Sequence, residues 1–139
     1  KKSTNLMPAI IRVVKGIEKF VEIFGNDYNT HDGSGIRDYI HIMDLASAHI
    51  KALEFLSKKD IFEVFNIGTG DGVSVFQLLK IFEDVTGRKV PIIISSRREG
   101  DSSCCYADPS KAKKILNWQA NLDLKEMCLS AWNFSKNHE

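Results

Sequence analysis

Apolar residues in this chain keep switching between two spacings, and that switching restricts its fold more than any other feature. Over Pro8 to Phe20, Ile10, Ile11, Val14, Ile17 and Phe20 recur as one face of a helix would, with Pro8 suited to the first turn. Val21-Glu22-Ile23-Phe24 then reads as a short strand stopped at Gly25-Asn26, and Asp27 to Gly35 is a polar loop. Alternation returns over Ile36 to Ile42, where a strand points Arg37 and Tyr39 the same way. Asp44 is placed to cap a helix running to about Ser57, with Leu45, Ala48, Ala52, Leu53 and Leu56 as its core face.

The second half repeats the switching. Ile61 to Ile67 reads as a buried strand. Ser74-Val75-Phe76-Gln77 is a capping box opening a helix over Val75 to Val85 that ends at Gly87. Val90 to Ile94 reads as a strand. Asp108-Pro109 starts a short helix through Trp118, and Asp123 opens a last one, apolar at Leu124, Met127, Cys128, Ala131, Trp132 and Phe134. Strands interleaved with helices define an α/β fold. The pieces are short, which predicts a small mixed sheet with flanking helices, some of them packing on a partner segment outside the chain.

At 139 residues the chain fits one domain with a sizeable core. A hydrophobic share of 43% and a charged share of 27% are those of a globular protein. The net charge of +1 supplies no general attraction to nucleic acid or to a membrane surface, so anion binding must come from local constellations. No apolar run approaches the ~20 residues of a membrane span, and Lys1-Lys2-Ser3-Thr4 is no signal peptide. Three cysteines, two of them adjacent (Cys104, Cys105), are expected as reduced thiols in a cytoplasmic protein. The four histidines are scattered and no metal-ligand spacing occurs, so no metal site is expected.

Two runs carry the chemistry: Gly35-Ile36-Arg37-Asp38-Tyr39-Ile40-His41-Ile42-Met43-Asp44-Leu45 and Arg97-Arg98-Glu99-Gly100-Asp101. Two arginines reaching one point from separate segments suit a diphosphate, because each planar fork binds paired oxygens. Taken singly, Arg37 or Arg98 is equally a surface residue or a partner for Asp38 or Glu99. Tyr39 is equally a packed aromatic, and Asp101 a turn residue after Gly100. Asp101 also has the chemistry to accept from both hydroxyls of a ribose.

These runs, with Asn5-Leu6-Met7-Pro8 and Val21-Glu22-Ile23-Phe24-Gly25-Asn26 upstream, resemble the C-terminal half of the UDP-glucose 4-epimerase family, extended short-chain dehydrogenases/reductases. The resemblance runs from Asn5 to about Trp132. It implies that residues 1–139 are the UDP-sugar-binding region and that the Rossmann half, which carries NAD, lies outside this chain. It further implies that Arg37 and Arg98 hold the pyrophosphate, that Tyr39 lines the same wall, and that Asp101 holds the ribose. Glu22 and Phe24 would pair through their backbone with uracil, and Asn5 and Leu6 would meet phosphate at a helix start. At Cys105, seven residues after Arg98, hexose-specific relatives commonly carry tyrosine. The smaller thiol leaves room for an acetamido group and implies tolerance of UDP-N-acetylglucosamine and UDP-N-acetylgalactosamine.

The implied reaction interconverts UDP-galactose and UDP-glucose through a 4-keto intermediate, with NAD bound and a tyrosine base activated by a lysine four residues on. None of Tyr28, Tyr39 and Tyr106 has a lysine at that spacing, so no catalytic residue is expected here and the chain alone should be inactive. Gly68-Thr69-Gly70-Asp71-Gly72 mimics a dinucleotide loop, but Val73 stands where the third glycine belongs. Turn geometry and helix capping account for it. A homodimer is implied for the whole enzyme. Two alternatives remain open: a sister nucleotide-sugar epimerase, dehydratase or decarboxylase, and a non-catalytic UDP-sugar-binding module.

Overall fold

The computed structural model describes residues 5–57 and 61–137, and they form five helices and five short strands. In chain order these are α1 (Leu6–Val14), β1 (Val21–Phe24), β2 (Ile36–Arg37), α2 (Ile42–Leu56), β3 (Val73–Ser74), α3 (Val75–Thr86), β4 (Ile92–Ser95), β5 (Cys104–Cys105), α4 (Ser110–Leu116) and α5 (Leu124–Asn137). The α/β class is as the spacing predicts, but the strands divide between two sheets. β1 pairs in parallel with β4, Val21 opposite Ile92. β2 lies between β3, antiparallel, and β5, parallel.

The core joins α1, β1, α3 and α5 through Ile10, Val13, Val21, Ile23, Leu78, Leu79, Phe82 and Cys128. Burial, with Asp123 nearby, pushes the Cys128 thiol up to about 12, so it acts as inert apolar packing. A smaller cluster, Ala48, Ala112, Leu116 and Trp118, holds α2 against α4, and the Trp118 indole donates to Ser47 Oγ at 2.8 Å.

α1 ends at Val14, well short of Phe20. Gly16 adopts φ 75°, its N–H donates to the Val13 carbonyl, and the Ile17 N–H donates to that of Arg12, each at 2.9 Å. That paired closure stops the helix and leaves Ile17 and Phe20 exposed. The strand expected over Ile36 to Ile42 is laddered only at Ile36 and Arg37. His41, not Asp44, caps α2: its Nδ1 accepts from the Met43 N–H at 3.0 Å, which leaves the proton on Nε2 to donate to Ser130 Oγ at 2.8 Å. Asp44 is buried one turn in and accepts from the Asn121 and Leu122 N–H groups. Leu53 and Leu56, expected in the core, are exposed, and so is Phe134 on α5. Ile61 to Ile67 forms no strand and joins neither sheet; Phe65 and Ile67 pack instead on the cluster between α2 and α4. β4 begins two residues later than Val90, whose N–H is taken by Glu83 Oε1 at 2.7 Å. α4 stops at Leu116, where Asn117 turns left-handed at φ 51°. The capping box at Ser74 and Gln77 is present as read.

No helix among the described residues is long and apolar enough to cross a membrane.

Candidate functional site

The N-terminus of α1, strand β1, the segment around Arg37 and the corner after β4 enclose an open cleft of about 800 Å³. Asn5 is the N-cap of α1, and its carbonyl accepts from the Ala9 N–H at 3.2 Å while its side chain makes no capping bond. Leu6 is the first helical residue, so the unsatisfied amides of that turn lie at the cleft wall. β1 pairs along one edge only among the described residues, with β4, so its other edge keeps unpaired backbone groups. The Glu22 carboxylate is already engaged: Oε1 accepts from Ser95 Oγ at 2.7 Å.

At the end of β1, the Arg98 guanidinium stands 4.3 Å from the centre of the Phe24 ring. Its Nε donates to Asp101 Oδ2 at 3.2 Å. From the other side Arg37 Nη2 comes to 3.8 Å of Asp101 Oδ1, while its Nη1 donates to the Ile36 carbonyl at 2.7 Å. The two arginines singled out in sequence therefore converge on one carboxylate, that of Asp101. Tyr39 packs on the core beside them. Burial lifts its phenol to about 12, against the opposing charge of Arg37, so the hydroxyl is neutral at ordinary pH and can donate or accept.

Cys105 stands apart. It is the ladder partner of Arg37 on β5, exposed, and does not line the cleft.

Asp38 is the residue that spacing alone misses, because its position between Arg37 and Tyr39 makes it look like an ion-pair partner. It turns away from Arg37. Oδ1 accepts from the Thr69 N–H (2.9 Å) and hydroxyl (2.7 Å), and Oδ2 from the N–H groups of Gly70 (3.1 Å) and Ala107 (3.2 Å). Burial raises its pKa, and these bonds together outweigh that and hold it below the usual carboxylate range. A Cβ at Gly68 would fall 2.4 Å from Asp38 Oδ2, so glycine is required there for the side chain's approach. The glycine-rich loop does cradle an anion, but the anion is the chain's own carboxylate. These residues do not fit a dinucleotide.

A second unforeseen network ties the loop before β2 to α3. Asp32 Oδ1 accepts from the Ser34 N–H (2.9 Å) and hydroxyl (2.8 Å), and Ser74 Oγ donates to Asp32 Oδ2. Among the described residues, no group of three or more His, Cys, Asp and Glu could hold a metal ion.

A mixed α/β unit here gathers two arginines, an aromatic ring and a helix start around one cleft. Residues 2–130 match the family model described as GDP-mannose 4,6 dehydratase, and the chain belongs to that family of extended short-chain dehydrogenases/reductases. Within it the chain matches the C-terminal part of UDP-glucose 4-epimerases. The enzyme of that name from Bacillus subtilis is 46% identical over 134 residues, covering 96% of this chain and 40% of the relative. The UDP-glucose-4-epimerase from Stenotrophomonas maltophila, solved with NAD and formylated UDP-arabinopyranose, superposes with a TM-score of 0.93 at 46% identity, over 97% of this chain and 40% of that one. The Bifidobacterium longum epimerase, in complex with NAD+ and UDP, gives 0.90 at 42%, over 96% and 40%. The chain thus spans about two-fifths of the length of these relatives.

Proposed function

We propose that this chain is the UDP-sugar-binding part of a UDP-glucose 4-epimerase that interconverts UDP-galactose and UDP-glucose. The observation that carries the reading is the meeting of Arg37 and Arg98 on Asp101 beside Phe24. In this reading the two forks take the pyrophosphate. Each Asp101 oxygen keeps lone-pair capacity beyond its arginine, so the carboxylate can also accept from ribose hydroxyls. The unpaired edge of β1 at Glu22 and Phe24 reads uracil through main-chain groups, consistent with a Glu22 side chain already bound to Ser95. Asn5 and Leu6 present helix-start amides to phosphate. Tyr39 adds a neutral hydroxyl to that wall, and Cys105, beside Arg37 but outside the cleft lining, lacks the bulk by which a phenol ring at that position would take space from an N-acetyl group.

NAD and the proton-transfer residues belong to an N-terminal half carried elsewhere in the natural polypeptide. NAD supplies reversible oxidation of the sugar there. This chain's own residues hold the nucleotide and keep the sugar in register, and they catalyse nothing alone. The complete enzyme is a homodimer.

The test is UDP titration followed by protein-observed NMR. Shifts centred on Arg37, Tyr39, Arg98 and Asp101 are expected. A folded protein that leaves those signals unmoved overturns the reading.

A further inference from the structure

Arg97 and Arg98 are neighbours in sequence just after β4, yet their side chains part. Arg98 goes to Phe24 and Asp101 in the cleft. Arg97 goes to the loop after β1. Its Nε donates to Asp27 Oδ1 at 2.8 Å, a terminal amino group donates to the Asp27 carbonyl, and the guanidinium stands 4.3 Å from the centre of the Tyr28 ring. Tyr28 is a firm platform. It is 6% exposed, its N–H donates to the Gly33 carbonyl at 2.9 Å, and its own hydroxyl pairs with no described residue. The clasp is also close-fitting, since a Cβ at Gly25 would fall 2.7 Å from Arg97 Cγ.

The backbone around Arg98 has little else to fix it. The Gly25 N–H donates to the Ser95 carbonyl and the Ile36 N–H to that of Ser103, each at 2.9 Å. Between those anchors, among the described residues, the corner is closed by its own backbone bond, from the Asp101 N–H to the Arg98 carbonyl at 3.2 Å.

We propose that Arg97 is a positioning residue: by clasping Asp27 and Tyr28 it pins the corner after β4 and aims Arg98 across Phe24 into the cleft. The proposal deepens the function above and rests on Arg98 binding the UDP diphosphate. A side chain already aimed loses less freedom when ligand arrives, so the clasp acts on affinity without touching UDP.

Two measurements on the natural polypeptide that carries this chain test it. In a double-mutant cycle read by UDP calorimetry, Arg97→Ala is expected to weaken binding about two- to tenfold, the scale of ordering one rotamer-rich side chain. Asp27→Ala, which removes the carboxylate contact and leaves the carbonyl and the Tyr28 ring, should weaken binding in the same direction and by less. In an Arg98→Ala background, Arg97→Ala should add nothing. Fully additive losses, or full rescue by Arg97→Lys, which keeps the charge and loses the fork, would overturn the proposal. The second measurement needs no ligand: the Arg98 Nε–H NMR signal, shifted by the Phe24 ring, should move toward its random-coil position in Arg97→Ala. An unmoved signal overturns the positioning role. If the wild type ignores UDP, the functional reading fails, while the NMR comparison still decides what Arg97 does.

Discussion

Arg98 is held from three sides: Phe24 behind its plane, Asp101 on Nε, and a neighbour bound to the adjoining loop. In the proposed function the rest of its fork meets the diphosphate. Arg98→Ala is therefore expected to weaken UDP binding by roughly 1.5–3 kcal/mol, the scale of a hydrogen bond to a charged group. Calorimetry reads this directly, and unchanged affinity would remove Arg98 from the site. Cys105 makes a different case, since its thiol lies beside Arg37 across the β2–β5 ladder and stops short of the cleft. A phenol ring projects several ångströms further. In the whole enzyme Cys105→Tyr should suppress turnover of UDP-N-acetylgalactosamine while sparing UDP-galactose. Equal loss of both, in parallel assays, would dismiss the volume argument.

Between elements, short strands contribute little and carboxylates do the joining. Ser74 caps α3 by accepting from the Gln77 N–H and donates to Asp32 in the loop before β2. Ser74→Ala removes both bonds and should cost about 1–2 kcal/mol in a denaturant melt. Asp32 and Asp38 each have a folded pKa below the ordinary carboxylate value: burial raises it, and the hydrogen bonds outweigh burial. Their contribution to stability is present above that ordinary value and is lost as pH falls through the lowered folded values. Asp38→Asn should lower the melting temperature at neutral pH and flatten its decline as pH falls below the ordinary carboxylate range. An equally steep acid limb in the variant would assign that limb to other carboxylates. The same carboxylates mark what sequence reveals and what it hides. β1 and α3 were readable because period and capping are local signals, while the shared role of Arg37 and Arg98 came only through the family resemblance. The stop of α1 at Gly16 needed the left-handed turn that follows, and Ile36–Ile42 kept its alternation without its ladder. There, Asp38 turns to partners that stand 31 to 69 residues away, and no local pattern records that.

At the scale of the whole molecule, large apolar side chains are left uncovered. Ile50 and Leu53, at helical spacing on α2, are 57% and 67% exposed, and Phe62, in a stretch patterned as a buried strand, is 90% exposed. Large apolar side chains exposed in this way mark an interaction surface. Its natural occupant in the proposed enzyme is the NAD-binding half, since the relatives are much longer than this chain and a buried strand needs neighbours there. The two folding contexts then give opposite results for one substitution. Leu53→Glu keeps helix propensity and removes an already exposed side chain, so the melt of this chain alone should move by no more than about 0.5 kcal/mol. In the complete polypeptide the same carboxylate would be buried without a partner and should cost more than about 2 kcal/mol. Denaturant melts of both forms check it. Equal, small effects in the two would mean that the face of α2 stays in solvent and that the NAD-binding half sits elsewhere.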